Sequence, residues 1–387
     1  MGRSIERVEL FGVNLPFRFS FKHAAGQRTN SESIFVKLTL SGGIVGWGEA
    51  LPRPYVTGET VPIALEALRK TLAPLVLGLT IEKSEDVYSV ANKIQGVFPA
   101  GEADGKIYFG AARCALELAL LDAASRMLKV SMCAWLGPPG NRNIHATAVI
   151  PDMAPNKLTW LLWLIKGTGF KAVKIKVGTD HDEQSLTLVR RILGPDIPLI
   201  ADANGVWHAS EAIEKLQQWR RFGITLVEQP VASRDFAGMR HVQDLTGLNV
   251  MADESLRSMQ DAQDLIDARA CSHFNIRLSK CGGLLSSWKI FKLARAAGIR
   301  CQLGCQVGES SILAAAGRHF AICAGNLDFY EGGYGRLLLR NDVGTPKVTL
   351  GWHGSVRGPR PENSLGWGVR VDENLLKGYV RECVVLP

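Results

Sequence analysis

The sequence predicts a two-part α/β protein, a small α+β unit followed by a (β/α)-barrel, and three observations support this. The start of the chain alternates apolar and polar residues in the manner of antiparallel strands. From Ile144 onward, short β-branched apolar runs alternate with helical stretches. No glycine-rich phosphate-binding fingerprint follows these runs, so the repeated strand–helix units fit a barrel better than an open doubly wound sheet.

The N-terminal unit is expected to span residues 1–136 and to combine an antiparallel sheet with helices. Its elements follow from period-two alternation for strands and from helical spacing of apolar residues for helices. The predicted strands are 8–11, 33–38 and 44–49, and the predicted helices are 61–77 and 110–127. The second helix is rich in Ala and Leu, which favour helices.

The barrel is expected to span residues 137–350. Five of its strands are recognisable as short apolar runs, and a helical stretch follows each of them. These strands are 172–177, 198–202, 225–228, 249–253 and 274–278. The remaining segment, 351–387, returns to loops rich in Gly and Pro, and we expect it to pack back on the N-terminal unit.

Composition narrows the class of protein. A chain of 387 residues that is 46% hydrophobic buries a large core. The net charge is +8, but Lys and Arg are dispersed, which argues against a nucleic-acid partner and suits either an anionic small substrate or a solvated surface. No apolar stretch reaches the roughly 18 residues of a membrane span, and the eight cysteines lack a zinc or disulfide spacing. We therefore expect a soluble cytoplasmic protein with reduced thiols.

Five charged residues stand about one strand–helix repeat apart, each at or just beyond the end of a predicted strand. They are Lys176, Asp202, Glu228, Asp253 and Lys280. In a barrel this places all five around one mouth, where the loops that follow the strands form the catalytic pocket. The repeated spacing carries this prediction, because any single one of these residues would mean little.

The three carboxylates among them predict a metal site. Asp202, Glu228 and Asp253 would repel one another and raise each other's pKa unless a cation lay between them. Oxygen ligands without histidine or cysteine suit Mg²⁺, with Mn²⁺ as a substitute, rather than Zn²⁺. The alternative is that the three residues are helix N-caps that follow their strands.

Lys174 and Lys176 are expected to act as a pair. They lie two residues apart on a strand and therefore point to the same face, while the flanking Val173 and Ile175 point to the other. Burial and a neighbouring ammonium both lower a lysine pKa, so Lys176 would serve as a base, with Lys174 as the charge that tunes it. The alternative is a solvent-reaching pair on an edge strand.

Lys280 comes from the sixth strand, across the barrel from the second. Two bases that face each other across a metal-bound carboxylate permit proton removal from one face and proton return on the other. Metal and lysine charges would stabilise the enediolate that forms when the α-proton of a carboxylate leaves.

Five barrel segments resemble motifs of the enolase superfamily, specifically of its muconate-lactonizing-enzyme subgroup. They are Lys174-Ile175-Lys176, Asp202-Ala203-Asn204, Val227-Glu228-Gln229-Pro230, Ala252-Asp253-Glu254-Ser255 and Lys280-Cys281-Gly282-Gly283. In the first part of the chain, Gly46-Trp47-Gly48-Glu49 resembles the G-x-G-E region of the family's capping domain. The resemblance covers most of the chain and implies a modified TIM-type barrel with an N-terminal capping domain.

The resemblance also implies which residues surround the substrate. A capping-domain loop around Phe19 to Arg28 would close over the barrel mouth. On sequence position alone, Gln302, Glu309 and Arg28 are further substrate-binding candidates. Glu331 is another candidate, and Asn204 and Glu254 are expected beside the metal ligands. Glu331 matches the eighth-strand glutamate region of muconate cycloisomerases, but it could equally bind an ammonium group or be an ordinary acid before a helix.

The sequence motifs specify the reaction less closely than they specify the site. The same motifs serve cycloisomerases, o-succinylbenzoate synthases, N-acylamino acid racemases and dipeptide epimerases. Residues 275–283 resemble dipeptide epimerases, whereas 326–333 lacks their Asp-x-Asp. We expect epimerisation or racemisation of a dipeptide or an N-acylamino acid by a homo-oligomer. The alternatives are a muconate-type cycloisomerase, a dehydratase similar to o-succinylbenzoate synthase, and a non-catalytic binding barrel.

Overall fold

The N-terminal part of the computed structural model folds as an antiparallel sheet because its strands alternate buried and exposed residues. Val8 and Leu10 are fully buried, and Glu9 between them reaches the surface. The structure describes residues 2–23, 26–97 and 107–387. The elements of this cap are β1 (Arg3–His23), β2 (Gly26–Leu40), β3 (Ile44–Ala50), α1 (Pro54–Thr57), α2 (Val61–Ala67), α3 (Ala73–Val76), β4 (Thr80–Ile81), α4 (Ser84–Gly96), α5 (Gly110–Leu128) and α6 (Cys133–Leu136).

The three strands and two helices predicted for the cap are confirmed, although β1 and β2 are longer than predicted. A π-helical turn, Leu68–Leu72, joins α2 to α3. Helix α4 was not predicted. The Gly-x-Gly pattern of β3 has a packing reason, since a Cβ at Gly46 or Gly48 would collide with the backbone of α5. This close approach places the buried helix α5 directly on the sheet.

The barrel is a curled sheet of eight strands in sequence order, with every neighbouring pair parallel. The first and last strands meet where the Thr147 amide donates to the Tyr330 carbonyl at 2.8 Å. This arrangement confirms the predicted barrel. The strands are β5 (Ala148–Ile150), β6 (Val173–Lys176), β7 (Leu199–Asp202), β8 (Leu226–Glu228), β9 (Asn249–Ala252), β10 (His273–Ile276), β11 (Arg300–Leu303) and β12 (Phe329–Tyr330).

Seven long helices connect the barrel strands, and the helix after the eighth strand is a single turn. They are α7 (Pro155–Thr168), α8 (Asp182–Leu193), α9 (Ala209–Gln218), α10 (Phe236–Thr246), α11 (Met259–Asp267), α12 (Leu284–Ala296), α13 (Ser311–Ala324) and α14 (Gly335–Leu338). The short last unit distinguishes this barrel from one with eight equal strand–helix units. The cap contacts the segment just after this short unit, where the Arg340 amide donates to the Pro16 carbonyl of β1 at 2.9 Å.

The segment after residue 351 was expected to be loops, and this is wrong for its end. Strand β17 (Val380–Leu386) pairs antiparallel with β1 and completes the cap sheet. The strand is an edge whose residues are all exposed or partly exposed, so its apolar alternation is weak in the sequence. The C-terminal elements are β13 (Gly344–Thr345), β14 (Thr349–Leu350), β15 (Val356–Arg357), β16 (Arg370–Val371), α15 (Glu373–Lys377) and β17 (Val380–Leu386).

The eight cysteines are free thiols, in agreement with the sequence prediction. Across residues 2–23, 26–97 and 107–387, no helix combines the length and the apolar character that a membrane crossing requires.

Candidate active site

The register of the parallel sheet aligns the predicted charged residues at one end of the barrel. Lys176 lies opposite Asp202, and Asp202 lies opposite Glu228, on successive strands. Glu228 lies opposite Met251, two residues before Asp253. All three carboxylates are at most 1% exposed. The spacing seen in the sequence therefore becomes a continuous row of side chains.

An apolar floor lies beneath this row. Ile200, Leu226 and Met251 form a separate buried cluster inside the barrel. Each stands two residues before one of the three carboxylates and so points to the same face of its strand. Because the floor excludes polar groups, charges above it interact through a low dielectric.

Lys176 stands at the mouth of the barrel. Its Nζ donates to Asp202 Oδ2 at 2.7 Å and to Asn204 Oδ1 at 2.6 Å. The Lys176 side chain is 25% exposed, whereas that of Lys174 is 3% exposed. Of the two strand lysines, Lys176 is thus the one that a bound substrate could reach.

Lys174 lies deeper and is surrounded by carboxylates. Its Nζ is 2.5 Å from Glu331 Oε1, 3.1 Å from Glu228 Oε2 and 3.5 Å from Asp202 Oδ2. Burial by itself would lower the pKa of Lys174, but Glu228, Glu331 and Asp202 outweigh burial and raise that pKa well above its usual range. Lys174 therefore carries its positive charge among these carboxylates.

Lys280 lies four residues beyond the end of β10, in the turn before α12. Its Nζ donates to the Asp253 carbonyl at 2.5 Å, to Asp253 Oδ1 at 2.7 Å and to the Asn275 carbonyl at 2.9 Å. The Lys280 side chain is fully buried. These three acceptors fix its ammonium group on the side of the barrel opposite Lys176.

Sequence reasoning missed two further residues of the site, Asn275 and Arg277. Asn275 Nδ2 donates to Glu228 Oε1 at 2.7 Å. Arg277 forms an ion pair with Asp253 and lies 3.6 Å from Glu228 Oε1. The signal was present, because Asn275 and Arg277 alternate with buried apolar residues just as Lys174 and Lys176 do.

Gln229 was also missed, although it follows a predicted ligand directly. Its Oε1 accepts from the amides of Asp253 at 3.0 Å and Ser255 at 3.1 Å, and its Nε2 donates to Ser255 Oγ at 2.8 Å. Gln229 thereby connects the ends of β8 and β9. Its positive φ of 39° turns the chain sharply after Glu228.

Mutual pKa elevation of the three carboxylates was expected unless a cation lay between them, and lysine and arginine side chains lie beside them here. Burial alone would raise the pKa values of Asp202 and Asp253, but the cations beside them lower both. For Asp202 these cations are chiefly Lys176 and Lys174. Burial and the charge of Asp202 instead raise the pKa of Glu228 to about 8. The expectation holds for Glu228 alone, since ammonium and guanidinium groups neutralise the other two.

The donor set fits a hard divalent cation. Asp202, Glu228 and Asp253 supply only oxygen atoms, and their burial makes three negative charges costly without positive partners. Among the residues that the structure describes, Asn275 Oδ1 and Glu254 Oε2 are further buried oxygens without a hydrogen-bond partner. Within the part of the chain that the structure describes, no three His, Cys, Asp or Glu side chains are placed closely enough to hold a metal ion in this arrangement.

The expected neighbours of the metal ligands lie at the mouth. Asn204 Nδ2 donates to Glu254 Oε1 at 3.1 Å, and Asn204 also accepts from Lys176. Burial and the charge of Asp253 raise the pKa of Glu254. The two residues therefore connect the ends of β7 and β9 above the carboxylate row.

Three of the expected substrate-binding residues lie on the barrel side of the mouth. Gln302 Nε2 donates to Glu331 Oε1 at 3.3 Å, which places both inside the barrel. Glu309 lies in the loop after β11, where its Oε1 accepts from the Gln306 amide at 2.7 Å and burial raises its pKa to about 8. These three residues line the side of the mouth formed by β11 and β12.

Arg28 lies on β2 and Phe19 lies on β1 of the cap. The Arg28 guanidinium stacks over the Tyr55 ring at 5.6 Å. Phe19 is 54% exposed and lines a cavity of about 290 Å³ between β1, β2 and Arg340. Two residues of the loop expected to close over the barrel, at positions 24 and 25, lie outside the described residues.

Comparison with known proteins identifies the family of both parts. Residues 5–137 match the family described as "Mandelate racemase / muconate lactonizing enzyme, N-terminal domain". Residues 163–375 match the family described as "Enolase C-terminal domain-like". The second match alone spans more than half of the chain.

Individual relatives support the same family assignment. The chain is 30% identical over 325 residues to a hydrophobic dipeptide epimerase of Enterococcus faecalis, covering 84% of this chain and 88% of the relative. It is 29% identical over 379 residues to an N-succinyl-L-Arg/Lys racemase of Bacillus cereus, covering 96% and 97%. A crystal structure of a dipeptide epimerase from Enterococcus faecalis, complexed with Mg and the dipeptide L-Leu-L-Tyr, superposes with a TM-score of 0.84 at 26% identity, covering 95% of this chain and 99% of that one. The chain therefore belongs to the mandelate racemase/muconate lactonizing enzyme family of the enolase superfamily.

Proposed function

We propose that this protein is a Mg²⁺-dependent isomerase that epimerises or racemises a dipeptide or an N-acylamino acid at the carbon next to its carboxylate. The observation that carries the proposal is the placement of Lys176 and Lys280. Lys176 ends β6 and Lys280 follows β10, four strands away in an eight-stranded barrel, and this separation supports two ammonium groups on opposite sides of a bound substrate.

The two lysines have complementary tasks in this proposal. One removes the α-proton from one face of the substrate, and the other returns a proton to the opposite face. Lys176 is held by Asp202 and Asn204, and Lys280 is held by Asp253 and the Asn275 carbonyl. Fixed positions for both ammonium groups lower the barrier to proton transfer, because a reacting group that is already oriented needs no reorganisation.

Asp202, Glu228 and Asp253 would hold Mg²⁺ in this proposal, with Mn²⁺ as a substitute. When bound, the ion supplies positive charge beside the substrate carboxylate and stabilises the negative charge that develops as the α-proton leaves. In the structure the three carboxylates are paired with lysine and arginine side chains, so the ion would replace part of these contacts. Lys174 keeps the inner end of the site positive throughout.

The substrate would lie between the lysines and the β11–β12 side of the mouth. Glu331, Gln302 and Glu309 line that side, and Arg28 and Phe19 would approach it from the cap. The names of the similar proteins support an amino-acid derivative as substrate, because they include dipeptide epimerases and an N-succinyl amino acid racemase.

One observation favours cycloisomerisation of a muconate-like dicarboxylate as a second candidate. Glu331 Oε1 is paired with Lys174 at 2.5 Å, so this oxygen is less available to an ammonium group, which a dipeptide carries and a muconate does not. An N-acylamino acid carries no ammonium group and is compatible with either arrangement.

A substrate panel distinguishes these reactions. Purified protein with Mg²⁺ is incubated with dipeptides, N-acylamino acids, cis,cis-muconate and the o-succinylbenzoate precursor, and products are separated by chiral chromatography and mass spectrometry. Inversion at an α-carbon, lost in Lys176→Ala and in Lys280→Ala, supports the proposal. Lactone from muconate, or loss of water from the precursor, would replace it with cycloisomerase or dehydratase activity.

We also propose that the protein acts as a homo-oligomer in the cytoplasm. Trp160, Trp163 and Leu164 stand on one side of α7 and are 70%, 57% and 47% exposed, an apolar surface that a second copy would cover. The free cysteines suit a reducing compartment. Light scattering after size-exclusion chromatography tests the assembly, and a monomer at all concentrations would exclude it.

A further inference from the structure

The turn that bears Lys280 is held by the cap as well as by the barrel. This turn, residues 278–283, is followed directly by α12. The Leu51 amide donates to Ser279 Oγ at 3.0 Å, and Ser279 Oγ donates back to the Leu51 carbonyl at 3.2 Å. A cap residue after β3 is thus bonded to the residue immediately before Lys280.

Two side chains from cap helices hold the other end of the turn. Gln95 of α4 donates through Nε2 to the Gly282 carbonyl at 2.6 Å and to Glu117 Oε2 at 3.1 Å. Glu117 of α5 is fully buried, and its Oε1 accepts from the Leu285 amide at 2.9 Å. Since Leu285 lies in the first turn of α12, Glu117 also satisfies an amide that the helix leaves without an internal partner.

The start of α5 lies against the Lys280 backbone itself. A Cβ at Gly110 would collide with the carbonyl oxygen of Lys280. The close approach therefore requires glycine at this position. Leu51 and Gly110 therefore contact the turn beside Lys280. Gln95 and Glu117 hold the residues that follow Lys280.

Lys176 is held differently. Its hydrogen-bond partners, Asp202 and Asn204, both belong to the barrel, and its own strand pairs with β5 and β7. A change in the contact between cap and turn should therefore reach one lysine and not the other.

We propose that Gln95 and Glu117 are positioning residues for Lys280, through which docking of the cap sets the geometry of one of the two proton-transfer groups. This inference rests on the proposed two-lysine reaction. Neither residue touches the substrate; they act by holding the turn through Gly282 and Leu285. Loss of this support moves the Lys280 ammonium relative to the substrate, and a misplacement of about 1 Å can lower a rate by roughly 100-fold.

The test exploits the fact that each epimer presents its α-proton to a different lysine. Each epimer is incubated separately in D₂O with Mg²⁺, and the initial rate of α-deuterium incorporation is measured by mass spectrometry. Lys280→Ala identifies the epimer that faces Lys280, because only exchange from that epimer is abolished. The probe variants are Gln95→Met, which removes both hydrogen bonds with little change in volume, and Glu117→Gln.

Two control variants match the probes. Gln260→Met makes the same substitution at an exposed position on α11, where Gln260 bonds only Asp264 among the described residues. Glu49→Gln alters another fully buried cap glutamate that holds a barrel helix, since Glu49 accepts from the amides of Ser310 at 2.9 Å and Leu313 at 3.1 Å at the start of α13. Among the described residues, the hydrogen bonds of the Glu49 carboxylate go to the start of α13, so its substitution reports general loosening of the cap.

The proposal expects Gln95→Met to slow exchange from the Lys280-facing epimer by about tenfold or more and exchange from the other epimer by less than about twofold. Glu117→Gln should shift the ratio in the same direction, whereas Glu49→Gln should affect both epimers equally and Gln260→Met neither. Equal slowing of both epimers by Gln95→Met and by Glu49→Gln would overturn it, as would an unchanged ratio.

A second readout separates this inference from the proposed function. Amide hydrogen exchange of residues 278–285 is compared between Gln95→Met and the unaltered chain, with 173–177 as the internal reference. Faster exchange confined to 278–285 supports the positioning contact even where the unaltered protein exchanges neither epimer, a result that would defeat the proposed reaction alone. Unchanged protection of 278–285 would overturn the inference whatever the activity.

Discussion

Lys174→Met should destabilise the protein more than any surface lysine change. The Lys174 ammonium lies within 3.5 Å of Asp202, Glu228 and Glu331 and is almost completely buried. Removing it leaves three carboxylates above the apolar floor without their shared cation. Breaking a buried charge interaction by removal of one partner costs about 3–5 kcal/mol, so we expect a decrease of that size in the free energy of unfolding.

The assay is urea denaturation followed by tryptophan fluorescence, with and without Mg²⁺. Mg²⁺ should stabilise Lys174→Met by more than it stabilises the unaltered chain, because a divalent cation among the carboxylates replaces part of the missing positive charge. The control is Lys171→Met, an exposed residue three positions earlier, which should change stability by less than about 0.5 kcal/mol. Equal stability of Lys174→Met and Lys171→Met, or the same Mg²⁺ increment in both, would refute the electrostatic account of the site.

Three further predictions concern metal binding, acid stability and the C-terminal segment. Asp202→Asn should weaken Mg²⁺ binding by at least about tenfold in calorimetric titration, because one of three anionic ligands is lost; unchanged affinity would remove Asp202 from the metal site. Burial and the nearby charge of Arg318 lower the pKa of His319 to about 3. The unfolded chain therefore binds a proton below about pH 6.5 that the folded chain does not, so stability present above that pH is lost by about 1.4 kcal/mol per unit as the pH falls toward 3. His319→Met should flatten this acid slope in urea midpoints measured from pH 7 to pH 4, and an identical slope would contradict the assignment. Trp367→Ala should lose about 3–5 kcal/mol, because Trp367 is 1% exposed and its Nε1 donates to the Trp47 carbonyl at 3.0 Å; the exposed Trp352→Ala should change little in the same denaturation assay.

The barrel and its charged row could be predicted from the sequence because both depend on local patterns. Short apolar runs ending in Lys176, Asp202 and Glu228 mark strands whose carboxyl ends must meet at one edge of a parallel sheet. Period-two alternation placed Lys174 beside Lys176. The same alternation at Asn275 and Arg277 was available but was not used, since neither residue has a charge partner close in sequence.

The pKa pattern and the supports of Lys280 could not be predicted, because they depend on distant contacts. Asp253 has a lowered pKa through Arg277 and Lys280, which approach it only after the barrel closes. Gln95 and Glu117 lie more than 160 positions before the turn they hold. Strand β17 escaped prediction for a related reason, since it is stabilised by pairing with β1 rather than by its own apolar pattern.

The most direct test of the central claim is α-deuterium incorporation into one purified substrate epimer in D₂O, measured with Mg²⁺ and again after EDTA treatment. The account predicts incorporation accompanied by formation of the other epimer, lost with EDTA and restored by Mg²⁺. Lys176→Ala and Lys280→Ala should each block inversion while leaving exchange from one epimer. Incorporation that persists in the double variant Lys176→Ala/Lys280→Ala, or that is indifferent to the metal, would contradict proton transfer between two lysines at a metal-assisted site.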